Sequence, residues 1–287
     1  RAAAGASVQQ FRATLLTVLI TLMYDLVVRR PMSILIDRQH SLEQSPTGTR
    51  IEVYHVDEAM PLHSHTFNEL TVVLTGQADH RVSDSVVTTR AGDVYVFVPD
   101  QEHCFSNVHD LTVVNLQFTD AALKEARNVL NLRPGFRAFF DLEPRTRSLH
   151  SFQGRLSLLP GQLRYVRQMA FELEAELTAT EPGHEGMSQS IFIHLCGYLA
   201  GRYHEMTNLK HVSLNRVGEA VIYIEENYQD KILVSDLAER VNMSESAFMR
   251  NFKDAMGASP IDYLITFRLE QACRFLRESS LRVTDIA

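Results

Sequence analysis

Four side chains able to offer lone pairs, His63, His65, Glu69 and His103, fall in two short stretches of this 287-residue chain. Residues 60–76 read MPLHSHTFNELTVVLTG, a spacing of His63-x-His65-x3-Glu69-x6-Gly76. Residues 92–107 read GDVYVFVPDQEHCFSN and supply Gly92, Pro99, His103 and Asn107. In a strand, residues i and i+2 share a face, so His63 and His65 project together. Glu69 can join them from the next strand and His103 from a third. Three imidazoles and one carboxylate make an N3O donor set for a first-row divalent metal. Without a metal, the same groups offer the donors and acceptors that sugar hydroxyls need. Cys104, beside His103, reads as a small buried hydrophobe rather than a ligand.

A second constellation lies near the C-terminus. Residues 231–264 read KILVSDLAERVNMSESAFMRNFKDAMGASPIDYL. The pattern predicts a helix over Ser235–Val241 with Ser235 as its N-cap. Asn242–Met243 is a tight turn. Ser244 caps a second helix from Glu245 to Met256, and Gly257 closes it in the left-handed conformation that glycine favours. Ser259 and Pro260 open the next helix. Leu237, Ala238 and Val241 are spaced to meet Phe248, Phe252 and Met256. Two short helices across such a turn form a helix-turn-helix, whose second helix can enter the major groove of DNA.

The elements that must hold these groups follow from the pattern. IEVYHV (51–56), LTVVLTG (70–76), HRV (80–82), VVTTR (86–90), DVYVFVP (93–99) and LTVVNLQF (111–118) are β-branched or aromatic runs separated by turn residues. Short strands at such spacing predict a closed or sandwiched antiparallel sheet. From Asp120 the period becomes helical, with helices over 161–179 and 187–206 that can pair as a hairpin. Residues 207–214 (TNLKHVSL) read as a linker. The expected organisation is therefore α+β: a lead-in over 1–31, a barrel over 32–119, a helical dimerisation and packing region over 120–206, the linker, and an all-α unit over 215–287.

Composition narrows the classes. A chain that is 45% hydrophobic and 22% charged is neither disordered nor fibrous. The formal charge of −7 excludes a globally basic, histone-like binder. Over 215–287, nine basic side chains face twelve acidic ones, which argues against tight DNA binding by that stretch alone. Three scattered cysteines give neither a disulfide framework nor a CxxC zinc site, and fit a reducing cytoplasm. The apolar run Thr14–Tyr24 is shorter than the roughly 18–20 residues of a membrane span. It reads either as the core of a signal peptide, as upstream sequence joined to a start at Met32, or as a membrane tether.

The first constellation resembles the two-part signature of cupins, small jelly-roll β-barrels. The glycine that precedes the first histidine in that signature is absent. Gln101 also stands where many metal cupins carry glycine. The short Pro99-x3-His103 spacing looks more like sensor cupins of transcription regulators than oxygenase cupins. The second constellation resembles the first of the two helix-turn-helix units of the AraC/XylS family, with Arg250, Phe252–Lys253, Gly257 and Ser259–Pro260 all in place. ITFRLEQACRFLR (265–277) is similar to the family's connecting helix, and LRVTDIA (281–287) to the opening of the second unit, which then breaks off.

These resemblances imply a sequence-specific regulator. His63, His65, Glu69 and His103 would bind a small effector, a sugar by preference, since PGFRAFF and LEPRTR (134–146) look similar to regulators of sugar catabolism, rhamnose-type ones among them. No cofactor is required, although the same four residues could hold a divalent metal. By the family pattern Ser246, Met249 and Arg250 lie on the exposed face of the recognition helix. Arg250 would contact a base or phosphate, and Lys253 would anchor a phosphate. The implied partners are promoter DNA, a second copy of the chain and, for an activator, RNA polymerase. The competing expectation is a metal-dependent cupin enzyme, an oxygenase or isomerase.

Overall fold

The computed structural model describes residues 34–82, 85–150, 155–206 and 209–278. The run Thr14–Tyr24, the junction at Met32 and the segment 281–287 lie outside the described residues.

Among the described residues eight strands form one sheet. They are β1 (Ile34–Ile36), β2 (Thr49–Val56), β3 (His63–His65), β4 (Asn68–Val82), β5 (Ser85–Arg90), β6 (Asp93–Phe97), β7 (His103–Phe118) and β8 (Leu156–Ser157). Helix α1 (Gln39–Glu43) sits between β1 and β2. The long strands β4 and β7 are the spine. They pair antiparallel from Asn68↔Phe118 to Val82↔His103. β2 pairs with the second half of β7, β6 with the first half of β4, and β5 with the rest of β4. The runs read separately as 70–76 and 80–82 are thus one strand, carried through by bulges between Val73 and Asp79.

Along β6, the first half of β4 and the second half of β7 both faces are buried, and strand parity sorts the residues. Leu70, Val72, Val94, Val96, Val114, Leu116 and Phe118 join the core shared with the helices. Val73, Tyr95, Phe97, Phe105 and Val113, of opposite parity, pack among themselves on the inner face. Glu69 and Thr71 share the parity of Val73 and so turn inward.

Helix α2 (Asp120–Leu130) begins where Thr119 accepts a hydrogen bond from the Ala122 amide at 3.2 Å. A continuous helical run follows: α3 (Pro134–Phe136), a π-helical turn (Arg137–Leu142) and α4 (Glu143–His150). Then α5 (Pro160–Thr178) and α6 (His184–His204) form the expected hairpin, with Val166, Met169, Ala170 and Leu173 facing Phe192, Leu195, Cys196 and Leu199 in the shared core.

The remaining helices are α7 (Leu209–Glu226), α8 (Val234–Arg240), α9 (Glu245–Met256) and α10 (Pro260–Glu278). Two expectations are corrected here. Residues 209–214 are not linker but the start of α7. His211 and Leu214 are buried there, and the His211 Nε2 lies 3.1 Å from the Arg155 carbonyl oxygen. Helix α8 starts at Val234 with Leu233 at the N-cap. Ser235 lies inside the helix and bonds Asp236 instead.

Gly76 shows why the first motif ends in glycine. Its φ is +72°, and an added Cβ would lie 2.1 Å from the Asp110 carbonyl oxygen across the bulge. Gly76→Ala is therefore expected to destabilise the sheet by at least about 1–2 kcal/mol for the left-handed backbone alone, and further for the clash. Urea denaturation measures it, and an unchanged midpoint would contradict this geometry.

Candidate functional site

The inner face brings three of the four expected ligands together. Donor atoms of His65, Glu69 and His103 all lie within 4.8 Å of one another. β3 supplies His65, β4 supplies Glu69 and β7 supplies His103, so the β3–β7–β4 order of the sheet sets the cluster. The His103 Nε2 is 3.9 Å from Glu69 Oε1, too long for a hydrogen bond. The fourth, His63, turns inward too but stays outside this trio. Its Nδ1 is 2.9 Å from the Pro61 carbonyl oxygen, and its ring meets the His103 ring edge-on at 4.3 Å.

The His65 tautomer is fixed by its neighbour. Its Nδ1 lies 2.7 Å from the Phe67 carbonyl oxygen, which can only accept, so Nδ1 carries the proton. That leaves a lone pair on Nε2, which is buried and has no hydrogen-bond partner among the described residues. The ring stacks on Phe67 at 4.6 Å. Burial lowers the His65 pKa to about 4, so the ring is neutral at ordinary pH. Burial also lowers the His63 pKa.

Glu69 has the opposite problem. Burial pushes its pKa up to about 7, against the hydroxyl of Thr71 at 3.0 Å. The cluster thus pairs a neutral imidazole acceptor with a carboxyl poised between its two forms. Aromatic walls surround it. Phe97 lies 3.9 Å from His103 between ring centroids, and His80 packs between Tyr95 and Phe105. His80 is fully buried 6.1 Å from His103 and was not singled out from the sequence. Its signal is parity, since Ala78, His80 and Val82 alternate inward beyond the bulge.

The residues also fit a divalent cation. His65 Nε2 is an unsatisfied ligand atom aimed at a carboxylate and a second imidazole, a set that first-row metals accept. A metal held by His65, Glu69 and His103 would act as a Lewis acid on a bound oxygen.

The helix-turn-helix is the second site. Asn242 adopts φ +53° in the turn, and the Met243 amide bonds the Ala238 carbonyl at 2.9 Å. The Ser244 hydroxyl accepts from the Ala247 amide at 3.3 Å, and Gly257 closes α9 at φ +73°. Phe248, Phe252 and Ala255 are buried against Leu237, Ala238 and Val241. Ser246, Met249, Arg250 and Lys253, at i, i+3, i+4 and i+7, form the exposed face of α9. Among the described residues Arg250 and Lys253 pair with no carboxylate, so both are available to an incoming acceptor.

The buried carboxyl gives a pH signature. A carboxyl whose folded pKa exceeds its unfolded one contributes stability that is full below the unfolded pKa and is lost as pH rises from there through the folded pKa. In EDTA-treated protein, wild type should therefore lose stability relative to Glu69→Gln between about pH 4.5 and about pH 7. The loss should approach about 3 kcal/mol, read from denaturation midpoints. A pH-independent difference would contradict it.

Comparison with known proteins finds both domains. A helix-turn-helix domain family matches residues 237–287, and a cupin domain family matches residues 50–116. The HTH-type transcriptional activator RhaR of Mannheimia succiniciproducens is 22% identical over 85% of this chain and 83% of its own. The HTH-type transcriptional activator RhaS of Pectobacterium carotovorum is 23% identical over 80% and 78%. Among solved structures, apo ToxT of Vibrio cholerae aligns over 76% of this chain and 97% of its own, at 12% identity and a TM-score of 0.35. Among the described residues no helix is long and apolar enough to cross a membrane. The chain thus joins a cupin domain to a helix-turn-helix domain of the AraC type, and over most of its length it is similar to HTH-type transcriptional activators.

Proposed function

We propose that the chain switches transcription in response to a small polyhydroxy effector, a sugar, bound at the inner face of the sheet. The observation that carries this reading is the His65 Nε2 lone pair, unsatisfied beside the Glu69 carboxyl. An effector hydroxyl can donate to it and accept from protonated Glu69. Phe67, Phe97 and Tyr95 supply the apolar faces that a sugar ring packs against. Sugar catabolism is also what residues 134–146 resemble. Since the trio is buried, entry requires the sheet's mouth to open.

The DNA contact is assigned to α9. Arg250 is the base or phosphate contact, Lys253 the phosphate anchor, and Ser246 and Met249 flank them. The curated relatives are named as activators, which supports RNA polymerase as a partner. A homodimer is supported by the outer face of α5. There Phe171 is 41% exposed, with Arg164 and Arg167 toward the N-terminus and Glu172 toward the C-terminus. Such a helix complements a second copy of itself laid antiparallel, because a twofold axis sets basic half against acidic half.

The second reading, a metal-dependent enzyme, is favoured by the donor set of the trio. One experiment separates the two. A thermal-shift screen against pentoses, hexoses and 6-deoxyhexoses is run with and without EDTA. A true effector at about 100-fold excess over its Kd adds about 2.7 kcal/mol, or about 5–10 °C at this size. The shift should survive EDTA and vanish in His65→Ala. No shift with any sugar and a large fall on EDTA would favour the metal site and the enzyme.

For DNA, a duplex selected from a random pool serves as probe. Arg250→Ala should weaken binding by about 5–150-fold and relax discrimination at one base. Lys253→Ala should weaken all sequences alike and reduce the salt slope by about one. Wild-type affinity in Arg250→Ala would remove α9 from the interface.

A further inference from the structure

The 120–206 region and the DNA-reading unit meet across a chain of alternating charges. Arg127 of α2 bonds Asp141 at 2.6 Å. Asp141 also accepts from Arg137 at 3.0 Å within the π-helical turn. The other end of the Arg137 guanidinium donates to Glu225 of α7. The far oxygen of Glu225 accepts from the Tyr263 hydroxyl of α10 at 2.7 Å. The side chains of Arg137 and Asp141 are each 13% exposed and that of Glu225 18%. Burial opposes the Arg137 charge, and Asp141 and Glu225 outweigh it, leaving its pKa raised.

The two ends of this chain lead to the two sites. Arg127 sits in α2, which is capped directly after β7, the strand that carries His103. The Tyr263 ring packs on Phe252 at 5.9 Å, and Phe252 is the buried anchor of α9. Backbone contact is close at the same point. A Cβ on Gly218 of α7 would lie 2.9 Å from the Pro134 carbonyl oxygen and 3.4 Å from the Arg137 Cβ. The junction is therefore tightly docked rather than a loose tether.

We propose that Arg137 is a positioning residue for the recognition helix. Its two-pronged guanidinium ties Asp141 to Glu225, and Glu225 holds Tyr263 against α9, so the reading face takes its orientation from the effector domain. The planar fork suits this role because it fixes two carboxylates at once in a set geometry. A part-buried charge network of this kind serves to select one arrangement more than to add stability. The proposal rests on the reading of α9 as the recognition helix, not on which molecule the sheet binds, so its test uses neither effector nor DNA.

The test is hydrogen exchange on the full chain, comparing wild type, Arg137→Gln, Arg137→Lys, Tyr263→Phe and the Arg137→Gln/Tyr263→Phe pair. Arg137→Gln should speed exchange in α9 and α10 by about tenfold or more while β4 and β7 keep wild-type rates. Tyr263→Phe, which removes one hydroxyl and should fold, should speed the same helices. The pair should show less than the product of the two single effects, as for residues in one network. Arg137→Lys, which keeps a cation between the carboxylates, should restore part of the α9 protection. The proposal is overturned if Tyr263→Phe leaves α9 at wild-type rates. Multiplicative effects in the pair would also overturn it, as would acceleration spread evenly over sheet and helices.

Discussion

From Glu69 to Val73, each residue of β4 must belong to one of two interiors, because helices cover one side of the strand and the curled sheet encloses the other. β7 and β6 obey the same rule. A slip of one residue would exchange the sets. Leu70 would then stand among imidazoles, and Glu69 would face Phe118 and Phe192 with no polar partner, a burial that costs several kcal/mol. The hydrophobic pattern thus pins the register, and the register in turn places His103 opposite Val82 and within reach of Glu69. The polar cluster is a product of apolar sorting.

Much of this was legible because the signals are local. Period-two runs marked the strands, and Ser244, Gly257, Ser259 and Pro260 marked the helix boundaries by their own backbone chemistry. The inward turn of Glu69 and His103 follows from spacing alone. The group of three among the four ligands does not. His63 and His65 share a face, but β3 is only three residues long, and the Pro61 carbonyl draws the His63 ring aside. His80 stayed hidden because the bulges around Gly76 and Asp110 rephase the strand after the motif ends. The start of α7 was missed because Lys210, His211 and Ser213 give 207–214 a polar look. His211 is buried in tertiary contact with the Arg155 carbonyl and the Tyr203 ring, which no local pattern carries.

The two sites use polarity in opposite ways. In the sheet, His65 and Glu69 are withheld from water, so their chemistry is stored as unsatisfied or shifted groups that a partner can relieve. On α9, Arg250 and Lys253 stay hydrated and cost nothing to display. Between them the network around Arg137 is part-buried with its carboxylates paired, which suits an element that must hold an angle rather than bind anything.

Helix α7 has a consequence for how such a molecule can be divided. Leu214, Val217, Ala220, Val221 and Ile224 all lie in the single core that runs from the sheet to the helix-turn-helix. A fragment cut at residue 215 would turn part of that face to solvent, at about 1.5–3 kcal/mol for each large side chain stripped of its cover. Such a piece would be adhesive, prone to self-association and chaperone capture. The helix is a party wall: two rooms share it, and neither stands weatherproof once the other is taken down.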